Sequence, residues 1–159
     1  MTVARDRIAA AADVDRLVVA LRECGRSVTG ADGVTVVRRE GNEVVYVTED
    51  AISPLWAGQR FHLRLCVSGI AITTRAPVVI ADISKDSRVP LNAYLSTFVK
   101  SMVMVPIGHG DPQMAMGAYW RTAEPIAAIA IERLSELATA AADALARIEG
   151  APEPGRQVA

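Results

Sequence analysis

The sequence predicts an α+β domain built on an antiparallel sheet. Three observations lead there: Val-rich stretches that arrive in pairs around turn residues, helical periodicity near both ends, and no strand–helix–strand repeat or glycine-rich phosphate loop between them. With 159 residues and 51% hydrophobic content, the chain can bury one good core but not two. We therefore expect one domain over residues 13–149, an N-terminal tail or helix extension over 1–12, and a disordered tail over 150–159. That last stretch carries two prolines and little to bury.

From Ala9 to Val28 the apolar positions Val14, Leu17, Val18, Leu21 and Cys24 recur at helical spacing, and Gly30 is placed to end the helix. Gly33–Val37 and Glu43–Thr48 bracket the turn residues Arg39-Glu40-Gly41-Asn42, which predicts a β-hairpin. Pro54 and Gly58 punctuate Ala51–Leu65, so a loop or short helix should lead into a brief strand around Phe61–Leu65. Val67–Thr74, with Ser68 as cap, reads as a short helix, and Pro77–Ile80 as a short strand. After the turn-rich Asp82–Pro90, the shared face of Leu91, Tyr94, Leu95 and Phe98 predicts another short helix over Leu91–Phe98. Ser101–Ile107 and Met114–Trp120 read as strands joined by Gly108-His109-Gly110-Asp111-Pro112. The last element is a helix from Pro125 to Ile148, with Pro125 suited to its first turn and Gly150 to its stop.

That final helix carries two apolar stripes. Ala130, Leu134, Leu137, Ala141, Ala144 and Ile148 step by four and three in an a/d heptad pattern, beside Ala127, Ile131, Ala138, Ala142 and Leu145. One sheet needs one stripe, so the width predicts a second burial partner, and we expect the first set to form a homodimer interface. At about 1.5 Å per residue the helix reaches about 36 Å, long enough to carry a signal beyond the domain. The alternative is that the alanines simply favour helix.

Lys and Arg total 17 against 18 Asp and Glu with no long run of one sign, which argues against nucleic-acid partners. Arg5, Asp6 and Arg7 interrupt any apolar N-terminal stretch, and no run approaches the roughly 18 residues of a membrane span. Only Cys24 and Cys66 are present, which suits a reducing compartment, and a cytoplasmic location is expected.

The runs Trp56–Phe61, Cys66–Ala71 and Pro77–Ile83, followed by Asp86–Pro90, Phe98–Ile107 and Gly117–Trp120, together resemble GAF domains. The likeness is to those of bacterial sensor histidine kinases, of the HWE type and phytochrome-like, and runs from about Asp13 to Ile148. The resemblance implies terminal helices on one face of the sheet and, on the other, short helices and loops over a pocket for a small ligand. It further implies a non-catalytic sensory module in a two-component system, with a histidine kinase or other signalling protein as partner.

Phytochrome-type attachment through a Cys-His pair after the Asp-Ile loop is excluded, because no cysteine follows Cys66. A chromophore linked elsewhere or held non-covalently stays open, so the cofactor is unknown. Reduction of methionine sulfoxide, known in another GAF branch, needs a resolving thiol, and Cys24 is expected on the far side of the sheet. Cys66 precedes a helix that would favour a thiolate, or else is an inert buried thiol. His62 and His109 stand alone and give no metal-ligand spacing. Asp82, Asp86 and Arg88 either contact a polar ligand or cap their own turns. For the pocket wall we select Trp56, Phe61, Leu65, Ile70, Ile83, Tyr94, Phe98, Met102, Met104 and Tyr119, a set that would serve equally as core. A cavity of roughly a few hundred Å³ would favour a ligand-binding domain. Its lack would favour a ligand-free dimerisation and docking module.

Overall fold

Ser101–Ile107 and Met114–Trp120 are near-continuous apolar runs, and in the computed structural model, which describes residues 1–150, both stretches are strands with those bounds. They are β5 and β6. Val103, Val105, Met114, Met116 and Ala118 face one side, while Met102, Met104, Ala115 and Tyr119 face the other. That period of two builds two separate cores on one sheet. The other strands are β1 (Gly33–Glu40), β2 (Glu43–Ala51), β3 (Arg60–His62) and β4 (Val78–Ile80). The order is β3-β2-β1-β6-β5-β4, with every neighbour antiparallel. The hairpin turns at Gly41-Asn42, and the register slips between Val36 and Val37, leaving Val47 without a partner in β1.

The N-terminal helix departs from expectation. Instead of one helix from Ala9, the chain forms α1 (Thr2–Ala9) and α2 (Val14–Thr29), divided at Asp13. The Asp13 carboxylate accepts from the Arg16 backbone N–H at 2.8 Å, an N-cap that starts a new helix. Residues 1–12 were expected outside the domain, yet Ala4, Ile8 and Ala11 are buried in its core. The Arg147 guanidinium donates to the carbonyls of Ala9 and Ala11, tying the end of α1 to the last helix.

That last helix, α4, runs Ala128–Gly150, three residues later than expected at its start. Ala130, Leu134, Leu137, Ala141 and Ala144, expected at a homodimer interface, are buried inside the chain, as are Ala138, Ala142 and Leu145 of the second stripe. Only Ile148 is half-exposed. The double width is explained within one molecule, because α4 packs on β5 and β6 along one side and on α1 and α2 along the other. The helix missed in the sequence takes the place assigned to a twin subunit. On the same face Gly25 lets α2 sit close to the sheet, since a Cβ there would come within 2.6 Å of Met116 Cε.

The opposite face carries less regular structure. Only Arg60–His62 of the expected strand Phe61–Leu65 pairs, and Leu63–Leu65 is a 3-10 turn. Helix α3 spans Val67–Thr74 as expected, but Cys66 occupies its N-cap position and Ser68 is buried in the first turn. The helix expected over Leu91–Phe98 reduces to a 3-10 turn at Leu91–Ala93. Of its supposed common face Tyr94 is buried while Leu95 is 72% exposed, so no continuous stripe existed to hold a helix.

Candidate functional site

Opposite the terminal helices, the sheet presents Tyr46 from β2, Met102 and Met104 from β5, and Tyr119 from β6. Tyr119 lies back along its own strand, and its hydroxyl meets Thr35 Oγ1 in β1 at 2.8 Å. Gly117 makes this possible, because a Cβ there would stand 2.3 Å from the Tyr119 hydroxyl and 2.9 Å from Met104 Cε. Tyr46 shares a hydrogen bond with Ser68 at 3.2 Å, and Ser68 in turn meets Cys66 Sγ at 3.4 Å. Tyr94, from the 81–99 loop, donates to Met102 Sδ. Burial pushes the Tyr46, Tyr94 and Tyr119 phenols well above their ordinary range, so all three stay neutral.

Trp56 enters this layer from the loop between β2 and β3. Its ring meets Tyr46, Tyr94 and Tyr119 edge-on, at centroid distances of 5.6, 4.7 and 5.3 Å. Its Nε1–H donates to the Ala93 carbonyl at 2.9 Å. The loop itself is held by the Glu49 carboxylate, which accepts from the backbone N–H groups of Leu55, Trp56 and Ala57 at 2.7, 2.8 and 2.7 Å. Charge-assisted bonds to three successive amides make Glu49 the main polar anchor of that segment.

The structure brings Trp56, Phe61, Cys66 and Tyr94 together around one cavity, closed by Tyr46, Pro90 and Ala93. Its volume is about 10 Å³, near the lower limit for a single water. Tyr119, Met102, Met104, Ile70, Ile83 and Phe98 belong to the same apolar layer. Leu65 does not, being 68% exposed, because the 3-10 turn rotates it outward. A wider hollow, of about 580 Å³, lies on the other side of the sheet. It is an open groove lined by Arg7, Asp13, Asp15 and Arg16 among others, so its size reflects shallow charged surface and not an enclosed site.

The polar candidates are used by their own loop. Asp82 accepts from the Ser84 hydroxyl and backbone N–H, at 2.6 and 3.0 Å, and the hydroxyl bond in particular lowers its carboxyl below the usual range. Asp86 takes two bonds from the Arg88 guanidinium, which likewise holds its carboxyl low. Both arrangements are turn caps, and neither group is aimed at the cavity. His62 Nδ1 accepts from the Arg64 N–H, and His109 bridges to Asp143 on α4 at 2.7 Å. Cys24 and Cys66 are both free and sit in the two cores on opposite faces of the sheet. Among the described residues no three His, Cys, Asp or Glu side chains gather as a metal site would need.

Sequence reasoning missed Tyr46, Glu49, Ser68 and Thr35. Tyr46 carried a signal, an aromatic two positions from Val44 in a strand, and so on the same face. Glu49 carried none, because its partners are backbone amides six to eight positions away across a loop.

An antiparallel six-stranded sheet clad by terminal helices on one face and by a short helix and loops on the other is the fold of GAF domains. No family model matches the sequence, and no curated protein does. Among solved structures, the chain is similar to the GAF domain of a phosphoenolpyruvate-protein phosphotransferase from Coxiella burnetii, at TM-score 0.78 and 16% identity, covering 94% of this chain and 93% of that one. It is similar to free methionine-R-sulfoxide reductase from Neisseria meningitidis, solved with its substrate, at TM-score 0.76 and 18% identity, over 92% and 86% of the two chains. It also resembles the chromophore-binding domain of a bacteriophytochrome from R. palustris, at TM-score 0.75 and 15% identity, over 93% of this chain and 59% of that one. One fold thus occurs in a phosphotransferase, a sulfoxide reductase and a bacteriophytochrome, and at these identities it is the fold alone that is shared. No helix among the described residues is long and apolar enough to cross a membrane.

Proposed function

We propose that this is a non-catalytic regulatory domain of a signalling protein whose ligand face is closed in its resting state. The observation that carries this reading is the cavity of about 10 Å³ where a ligand site should be, filled by Trp56 and its tyrosine neighbours. Small-molecule sites generally run to roughly 300 Å³ or more. The ligand-free docking module therefore has the better support, and a ligand-occupied domain needs a second conformation. Output passes through the helical layer of α1, α2 and α4, with a histidine kinase or other signalling protein as the receiving partner. Pairing with a second copy is kept in this proposal but moved to the outer faces of α1 and α4, where Val3 and Ile129 are exposed.

The separation of Cys24 from Cys66 by the sheet supports the non-catalytic reading, because a sulfenic acid on one thiol would have no second thiol to resolve it. Native mass spectrometry of freshly purified protein tests the proposal and reports subunit number at the same time. Protein mass without an added small molecule is the expected result. A stoichiometric retained ligand would overturn the closed resting state, and turnover of free methionine sulfoxide would overturn the non-catalytic reading.

A further inference from the structure

We propose that Trp56 is a removable plug, and that the slot its indole fills is a binding site for a planar heteroaromatic molecule of similar size carrying a ring N–H. The inference goes beyond the closed resting state and rests on that reading of the face.

Trp56 is bound as a ligand would be. Three tyrosine edges wall the indole, and a single directed acceptor, the Ala93 carbonyl, takes its N–H. Mostly apolar walls with one or two polar groups that set orientation are what small-molecule sites provide. The segment that delivers the indole is a surface loop and not part of a helix or strand. Ser53, Pro54 and Ala57 are exposed, and only Leu55 and Trp56 point inward. The loop is pinned at its ends, where Ile52 N–H bonds to the Asp32 carbonyl and Gly58 N–H to the Tyr46 carbonyl. Between those pins, the amides of Leu55, Trp56 and Ala57 all go to Glu49.

Gly58, at φ +85°, stands next to the downstream pin, in the left-handed region that a glycine leaves at little cost. Releasing the Glu49 latch therefore frees a short segment without breaking the sheet. The vacated slot would have the volume of an indole joined to the small cavity already beside Trp56. No charged side chain lines that cavity, and opening the latch leaves the half-buried Glu49 carboxylate without its three amide partners, so neutral or cationic rings are favoured over anions. Because the ligand binds only the open form, its apparent affinity scales with the open population, and weakening the latch should tighten binding.

Two variants of the full chain, with indole as probe, test this. Trp56→Gly should lose thermal stability and regain part of it as indole is added. 1-Methylindole, which leaves the Ala93 carbonyl unpaired, should need about tenfold more for the same rise. The second variant is Glu49→Gln, which turns one acceptor oxygen of the latch into a donor. The chain has two tryptophans, so the indole N–H region of its spectrum holds two signals. Indole should shift the Trp56 signal towards its solvent-exposed position, at a concentration at least about tenfold lower in Glu49→Gln than in the native chain. A folded Trp56→Gly that ignores indole overturns the proposal. Should Trp56→Gly fail to fold, a Trp56 signal unmoved by indole in Glu49→Gln overturns it alone. These results are separable from the mass measurement, since a retained natural ligand would refute the closed resting state while leaving indole rescue intact.

Discussion

On the helical face of the sheet the largest fully buried side chains include Leu17, Leu21, Ile107, Leu134 and Met116, aliphatic groups delivered by continuous helices and strands. On the opposite face Tyr119 is fully buried beside Met102 and Met104, Tyr46 and Trp56 are buried with it, and Tyr94 and Trp56 come from irregular loops. The aliphatic layer needs only shape, since it has no polar tips to satisfy. The aromatic layer needs each hydroxyl and ring N–H to find a partner, and it finds them in Thr35, Ser68, Met102 and the Ala93 carbonyl. Damage to the first should therefore appear as lost stability, and damage to the second as a changed loop conformation as well.

The largest effect is expected from Leu134→Ala, which opens a void in the fully packed aliphatic layer and should cost about 2–5 kcal/mol in urea unfolding. Its burial partners are α1, α2 and the sheet of the same chain, so the loss should not depend on protein concentration. A loss that deepens on dilution would return Leu134 to a subunit interface. Gly117→Ala comes next, at about 1–3 kcal/mol, because the new Cβ collides with the Tyr119 hydroxyl. Unlike Leu134→Ala, it should also alter the near-ultraviolet circular dichroism of the tyrosine–tryptophan cluster, and an unchanged spectrum would mean that Tyr119 does not report on the loops.

Thr35→Val keeps shape and removes only the partner of the Tyr119 hydroxyl, so a loss of about 1 kcal/mol is expected in the same unfolding assay. The smallest effect belongs to Asp86→Asn, in a loop cap outside both cores. The Asp86 carboxyl is lowered in the folded chain, chiefly by its hydrogen bond to Arg88. Its contribution is therefore present above the unfolded value and lost as pH falls through the folded one. Unfolding of the native and Asp86→Asn chains, compared between about pH 6 and pH 3, should show a small difference that shrinks towards the acid end. A difference that grows on acidification would show that the cap acts through some other group.

The strands were legible wherever a short apolar run lay between turn residues, and β5 and β6 start and end where those runs do. The first helix was misjudged because Asp13, a polar residue inside an otherwise helical run, was not weighed as a cap. Leu91–Phe98 misled in the opposite direction, since four apolar residues at helical spacing have no helix-forming power unless a surface receives them all. Of the apolar side chains selected for a pocket wall, Trp56, Phe61, Tyr94 and Tyr119 lie in one layer, whereas Leu65 faces outward. The distinction between a pocket and a plug was not legible at all, because the same aromatic side chains serve for either.

Sequence alone determined the antiparallel α+β layout, the paired strands around their turns, and the broad burial of the last helix, because these depend on patterns within short stretches of chain. Tertiary structure decided who buries that helix and what fills the face opposite it. Both outcomes turn on contacts between distant segments: α1 lying against α4, and Glu49 drawing the Trp56 loop down by three backbone amides. Local pattern carries no information about such partners. Only the assembled fold brings them within bonding distance.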